Sequence, residues 1–195
     1  MNAATTGTSQ ALKPTQWQID PAHSAAHFSV RHLMISNVRG EFGKVSGNAV
    51  LDLSDPTKST AEVTVDTATI DTREPQRDEH LRSADFFDVV NHPAITFRSK
   101  KIKAAGPDHF KVTGDLTIRG ATREVTFEVE GPVPPIKDPM GNVRTGISAT
   151  AKINRKDFGL VWNMLTEAGG VVVGDEVSIT FEAELIQKAP ANDAK

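Results

Sequence analysis

Six histidines stand among the 195 residues, and the residue types of a hydrolase triad fall close together at Asp20, His23 and Ser24. A nucleophile, a base and an orienting carboxylate must form a hydrogen-bonded chain in that order. Crowded around Pro21, three side chains cannot easily reach that geometry. His23 and His27 have the i, i+4 spacing of a helical zinc pair, but their segment alternates like a strand. Four residues of strand span about 13 Å, too far for two ligands on one ion. His23, His32, His80 and His92 would make a metal centre only if the fold gathered them. The absence of cysteine excludes thiolate zinc sites, iron–sulfur clusters, disulfides and cysteine nucleophiles. No G-x-S-x-G elbow, phosphate loop or dinucleotide fingerprint occurs. The Asp and Glu residues fall mostly on wet strand faces, which leaves paired-carboxylate catalysis no location. The expectation is a protein with no catalytic residue, no metal site and no cofactor.

Composition narrows the partners. With 25 acids against 22 bases the net charge is −3, too mild to suggest nucleic acid. Nine Phe, two Trp and no Tyr make a poor base-stacking platform. No run approaches the roughly 18 consecutive apolar residues of a transmembrane helix. The basic run Arg98-Ser99-Lys100-Lys101-Ile102-Lys103 either touches phosphate headgroups or forms a solvated, aggregation-resisting strand face, and the second reading is preferred.

Period-2 alternation dominates the chain. Ala26, Phe28 and Val30 share one face of 24–31. Val38, Gly40 and Phe42, then Val45, Gly47, Ala49, Leu51 and Leu53, share one face of 38–53, with a phase change near Gly43 that reads as a β-bulge. Val63 and Val65, Ile95 and Phe97, then Phe110, Val112, Gly114, Leu116 and Ile118 continue the pattern. Val125, Phe127 and Val129 form the next set, followed by Ile147, Ala149, Ala151 and Ile153, and last by Val177, Ile179, Phe181, Ala183 and Leu185. That makes eight antiparallel strands, each with one apolar face. Arg119-Gly120 predicts a tight hairpin. A single helix is expected over about 74–84, with Thr72 as its N-cap and Pro75 in its first turn. Residues 1–16 read as a disordered tail, 17–187 as one domain and 188–195 as a frayed end. No basic segment followed by an apolar core marks a secretory leader, so the expected location is cytoplasmic, with the periplasm as the alternative if a leader precedes this sequence.

Eight one-faced strands close either as a barrel or as a two-sheet sandwich. The pattern leaves both open. Four segments then carry a resemblance. Residues 17–42 read W-x-I-D-P-x-H-S-x-x-x-F-S-V-R-H-L-M-I-S-N-V-R-G-E-F, and 77–97 read R-D-E-H-L-R-S-A-D-F-F-D-V-V-N-H-P-A-I-T-F. Residues 114–126 read G-D-L-T-I-R-G-A-T-R-E-V-T, and 155–159 read R-K-D-F-G. In order and over nearly the whole domain, these resemble the YceI-like family of bacterial lipocalin-like, polyisoprenoid-binding proteins. The resemblance implies an all-β fold: an eight-stranded antiparallel lipocalin-like barrel with one short helix. It also implies an isoprenoid, isoprenoid quinone or fatty-acyl chain in the central tunnel, and often a homodimer.

Inward side chains suit such a ligand. Phe28, Phe42, Phe97, Phe110, Phe127 and Phe181 supply flat walls; Val30, Val63, Val65, Val125, Ile147, Ile179 and Leu116 fit between methyl branches. Ala49, Ala149, Ala151 and Gly47 leave room. His32, Arg77 and His80 are candidate headgroup partners, Arg77 and Arg82 alternatively solvating the outer face of the helix. Trp162 and Met164 either line a mouth or pack as a plug. The competing expectation is a filled barrel, an interaction or stress-response module working through its outer surface.

Overall fold

The computed structural model describes residues 13–165 and 170–189. Of the three regions assigned from sequence, residues 1–12 and 190–195 of the two tails lie outside the described residues. The strands are β1 (Thr15–Ile19), β2 (Ala25–His32), β3 (Ser36–Phe42), β4 (Val45–Leu51), β5 (Thr60–Asp66), β6 (Ile70–Asp71), β7 (Ala94–Gly106), β8 (His109–Ile118), β9 (Ala121–Glu130), β10 (Ile136–Lys137), β11 (Val143–Asn154) and β12 (Val173–Gln187). All lie in one antiparallel sheet, which the β11–β12 pairing closes on itself.

Several of these segments are halves of one long strand. β1 pairs with β4 and β2 with β3, so 15–32 and 36–51 form the two arms of a single hairpin. A 3-10 turn at Pro21–His23 kinks the first arm. The second kinks between Phe42 and Val45, where the sequence predicts a bulge and the structure shows a break into β3 and β4. β5 and β6 face β4 and β3 across another 3-10 turn, Thr67–Thr69. β1–β2, β3–β4, β5–β6, β7, β8, β9, β11 and β12 are therefore eight staves of a closed barrel, not a sandwich. The first stave begins at Thr15, two residues before the expected domain start. Its buried Trp17 and Ile19 were hidden in the sequence by the shortness of β1 before Pro21.

Two devices set the register. Arg119 and Gly120 both have positive φ (49° and 74°), the two-residue turn whose twist matches its strands. In β7 the register against β8 slips between Ser99 and Lys101. That bulge returns Ile102 to the inner face while Lys101 and Lys103 stay outside. Opposite it, a Cβ on Gly114 would stand 2.2 Å from the Arg98 carbonyl oxygen, so only glycine fits. The basic run is thus a wet strand face. Arg98 pairs with Glu62 at 3.0 Å, and Lys100 with Asp115 at 2.5 Å and Glu124 at 3.6 Å.

α1 (Pro75–Arg82) lies across the barrel end formed by the β2–β3 and β8–β9 turns, and this end is called the helix end below. Its N-cap is Glu74, whose carboxylate accepts from the Arg77 amide at 2.7 Å, so Thr72 is not the cap. Thr72 is instead the anchor: the buried Asp78 carboxylate accepts from its amide at 2.9 Å and its hydroxyl at 2.5 Å. Arg77 donates to the Thr72 hydroxyl (2.7 Å) and carbonyl (2.8 Å), and Arg82 to the carbonyls of Ala68 and Ile70. Neither arginine merely solvates the outer face, since an eight-residue helix with Leu81 as its only large apolar side chain must be seated by polar bonds. Asp78→Ala removes the one oxygen that accepts both Thr72 bonds in a buried site and is expected to cost about 1–3 kcal/mol. Denaturant unfolding measures that loss, and hydrogen exchange at Leu81–Phe87 locates it at the cap.

Candidate functional site

A cavity of about 260 Å³ runs inside the barrel. Its wall holds Val30, Phe28, Ile179, Phe42, Val63, Val65, Phe97 and Leu116, together with Phe110, Phe127, Ile147, Ala149 and Phe181. Alternation puts these side chains inside because successive Cβ atoms of a strand point to opposite faces. Phe97 and Phe127 meet edge to face at 5.1 Å between ring centroids, and Phe28 and Phe42 tilt together at 5.8 Å.

Five residues expected at the ligand do not reach this cavity. Val125, opposite Gly114 in the sheet, lies on the same inward face as Phe127 and packs between the two apolar clusters of the core, but does not line the cavity itself. His32 ends β2, paired with Ser36 and Val173. Arg77 is spent on Thr72. His80 lies outside the wall, its Nε2 3.0 Å from the Asp85 carboxylate and its ring edge-on to Phe86 and Trp162. Trp162 tilts against Phe86 at 5.2 Å between ring centroids and packs, half-buried, on the helix-end cluster behind the lining layer. Nor do Gly47 and Ala151 provide room. A Cβ on Gly47 would meet the Glu62 carbonyl, and Ala151 packs against the core.

Other residues close the helix end from above: Leu81, Phe86 and Phe87 from the helix and the turn after it, Leu160 and Arg155 from the chain after β11. The aromatic pair was visible in the sequence as Phe86-Phe87, but which way it pointed was not. Arg155 sits in the 3-10 turn Arg155–Phe158 and is 3% exposed. Its guanidinium donates to the carbonyls of Gly174 (2.8 Å), Leu160, Trp162 (2.8 Å) and Val173 (3.3 Å), with Asp175 at 3.5 Å. Burial pushes its pKa below the ordinary arginine value. Surrounded by carbonyls, it is a clamp on the loop and offers a ligand no free donor.

The YceI-like domain profile matches residues 17–185. The chain belongs to the YceI-like family. A UPF0312 protein of Staphylococcus aureus (strain MSSA476) is 38% identical over 171 residues, covering 87% of this chain and 96% of that protein. Among solved structures, BcnA of Burkholderia cenocepacia superposes with a TM-score of 0.72 at 26% identity, over 85% of this chain and 98% of its own. The Campylobacter jejuni YCEI protein gives 0.68 at 30%, over 82% and 90%. A polyisoprenoid-binding domain from Saccharophagus degradans, implicated in plant cell wall breakdown, shares the fold with a TM-score of 0.64 at 16% identity, over 88% and 98%.

Within this YceI-like chain a second polar cluster lies on the outer wall, where β1 meets β2. Asp20, His23 and Glu184 bring their ligating atoms within 4.8 Å of one another. The cation among them is Arg144, 2.5 Å from Asp20, 3.0 Å from Glu184 and 2.7 Å from Asp138. His23 Nδ1 does reach Asp20 Oδ2 at 2.8 Å, the orienter–base half of a triad that the crowding at Pro21 had argued against. Ser24 does not complete it, because its Oγ accepts from the Glu184 amide. Among the described residues, no three of His23, His32, His80 and His92 bring their ring nitrogens together.

Two predictions follow. Arg155→Met leaves several buried carbonyls unsatisfied and is expected to cost about 3 kcal/mol, with hydrogen exchange accelerated at Leu160 and Val173. The second concerns acid. Arg144 first and His23 second hold the Asp20 carboxyl at about 2, below its ordinary 3.8, and Arg144 likewise depresses Asp138. A lowered folded-state pKa stabilises above the unfolded value, so this contribution is intact above about pH 4 and lost as pH falls toward 2. In Arg144→Met the three carboxylates face one another and the sign reverses: stability rises on acidification from pH 7 toward about pH 5. Melting temperature against pH for both proteins checks this.

Proposed function

We propose that this protein binds one long, slender apolar molecule, an isoprenoid or acyl chain, in the barrel and carries or sequesters it without bond chemistry. The single observation that supports this most is the apolar cavity. Sites for drug-sized ligands run to about 300–1,000 Å³, so a volume near 260 Å³ drawn out along a barrel suits a narrow chain. The cavity's lining is almost wholly apolar, so it offers an apolar chain burial and offers water few hydrogen-bond partners. Burial of each methylene contributes about 0.8 kcal/mol before ordering losses, so affinity needs no polar handle inside. The family relationship and the Saccharophagus domain that binds polyisoprenoid point the same way. A headgroup would then lie beyond one barrel end, since Arg155 is saturated and His32, Arg77 and His80 stand outside the lumen.

The test is native mass spectrometry of protein purified from its host, followed by organic extraction. A one-to-one adduct that extracts as a prenyl or acyl compound is expected, and the same spectra read the homodimer that the family resemblance implies. A bare mass persisting after incubation with isoprenoid quinones and fatty acids would sink the proposal. Ala149→Phe puts a ring into the lumen beside Phe181 and Val129. Because space is there to receive it, the variant should escape most of the 1–3 kcal/mol that overpacking typically costs, about the shift a melting curve resolves, yet lose lipid uptake. Unfolding of the variant, or unchanged uptake, would mean that the lumen is not the ligand's site.

A further inference from the structure

The two ends of the cavity differ. β8 runs from one to the other, with Phe110 beside the β7–β8 turn and Ile118 beside the Arg119-Gly120 turn at the helix end. At the helix end the lining side chains of Phe86, Leu116, Ile118, Ile153 and Leu160 are between 4% and 9% exposed. Leu81, Phe87 and Val177 are half-buried there against the apolar core, and Val30 stands in mid-sheet between Val38 and Val177. Val173 is held through its backbone by Arg155 and Asn163. At the opposite end Pro56, Ile102, Phe110, Val112 and Pro132 also line the cavity, yet all five are half-exposed. Ile102, Phe110 and Val112 pack against neither apolar cluster of the core. Inward apolar side chains left half-exposed at a barrel end mark a mouth.

The β4–β5 connection frames one side of it. The Asp52 carboxylate, 8% exposed, accepts from the amides of Ser54 at 3.0 Å and Asp55 at 2.9 Å. Asp55 in turn caps the 3-10 turn Pro56–Lys58 by accepting from the Thr57 amide at 3.3 Å. Ser59 closes the connection, its Oγ accepting from the Asp52 amide at 3.0 Å. The Ser59 backbone is extended (φ −71°, ψ 159°), so it continues the alternation of β5 and shares the inner face of Ala61 and Val63.

Polar side chains are scarce on the cavity wall. Among the described residues they are those of His27, Ser59, Thr60 and Arg155. Arg155 is spent on carbonyls, and His27 reaches the Glu41 carboxylate at 3.3 Å on the outer wall. Thr60 stands opposite the exposed Val50 on the outer face. That leaves Ser59, whose hydroxyl proton meets no acceptor among the described residues. A headgroup drawn deeper inside would lose its hydrogen bonds to water without replacement. At Ser59 it accepts one bond from the protein and keeps the rest to solvent. No ammonium or guanidinium lines this end of the cavity, so a phosphate or carboxylate would find no counter-ion on the wall. We propose that the cavity opens between the Asp52–Ser59 connection, Phe110 and Pro132, and that the cargo lies with its chain toward the helix end and an uncharged hydroxyl or carbonyl head bonded by the Ser59 hydroxyl. The proposal rests on the lipid-binding reading above and adds to it a direction and a head.

The experiment uses geranylgeraniol, geranylgeranyl diphosphate and the headless hydrocarbon phytane, which share one chain length. Each is titrated from ethanol into the full chain, with the bound fraction read by native mass spectrometry. Wild type is expected to hold the alcohol about tenfold or more tightly than the diphosphate. Ser59→Ala should weaken the alcohol about fivefold and leave phytane unchanged, and Ser59→Thr, which keeps the donor, should hold the alcohol as wild type does. Releasing the Asp52 amide would affect both ligands alike, so the difference between them reads the bond to the head. The chain has no cysteine, so Phe110→Cys and Ile118→Cys place a single thiol at either end of β8. A maleimide should label Phe110→Cys about tenfold faster than Ile118→Cys, and geranylgeraniol should protect it. Circular dichroism confirms that the variants fold. Equal loss of alcohol and phytane in Ser59→Ala, tighter binding of the diphosphate, or faster labelling of Ile118→Cys overturns the proposal with lipid binding intact. Failure of wild type to bind any of the three overturns the lipid-binding reading and this proposal with it.

Discussion

Everything in this molecule depends on the pairing of β11 with β12. From Arg144 opposite Ile186 to Asn154 opposite Glu176, it joins the seventh stave to the eighth and leaves the long β12 free to pair with β1 and β2 on its other edge. Without that closure the meander would keep two raw edges and its apolar face would need a second sheet to cover it. With it, the apolar faces of all eight staves turn toward one axis. Eight staves enclose slightly more space than their side chains fill, and small residues such as Ala149 keep that excess as one continuous volume.

Polar bonds, not further apolar burial, finish the helix end. α1 has little apolar surface to offer, so Asp78, Arg77 and Arg82 seat it through Thr72, Ala68 and Ile70. Arg119 reaches from the β8–β9 turn to the carbonyls of Ala84 and Gly159, tying the turn after α1 to the chain after β11. Arg155 ties that chain to β12. Four arginines therefore satisfy carbonyls that the cap would otherwise bury unpaired, a task suited to a planar, multi-donor cation. Arg155, the one of the four that lines the cavity, has every donor so engaged, which leaves the interior to hydrophobic burial.

Parts of all four segments that carry the family resemblance meet at this end. The 31–36 turn, the helix with Phe86-Phe87, the Arg119-Gly120 turn and R-K-D-F-G are far apart in the chain and adjacent in space. Their side chains build the cap and its bindings while the lining residues of mid-barrel come from plain alternation. His32, Arg77 and His80 stood out because they lie in those motifs, and Trp162 because it follows the last of them, but none of the four lines the lumen.

What the sequence by itself determined is the set of staves and the inner face of each, because period-2 alternation is a local property that survives any arrangement of the strands. It also determined the existence of α1, through Pro75 and the absence of β-branched residues within it. Closure as a barrel, the break of 38–53 into two strands in line, and the inward turn of Ile102 across the bulge were decided only in three dimensions. So were the true N-cap at Glu74 and the use of Arg155, Arg77 and Arg82 as clamps. Each of those depends on which carbonyl or strand edge a residue meets across the sheet. That partner is set by the closing register, and a linear pattern does not contain it.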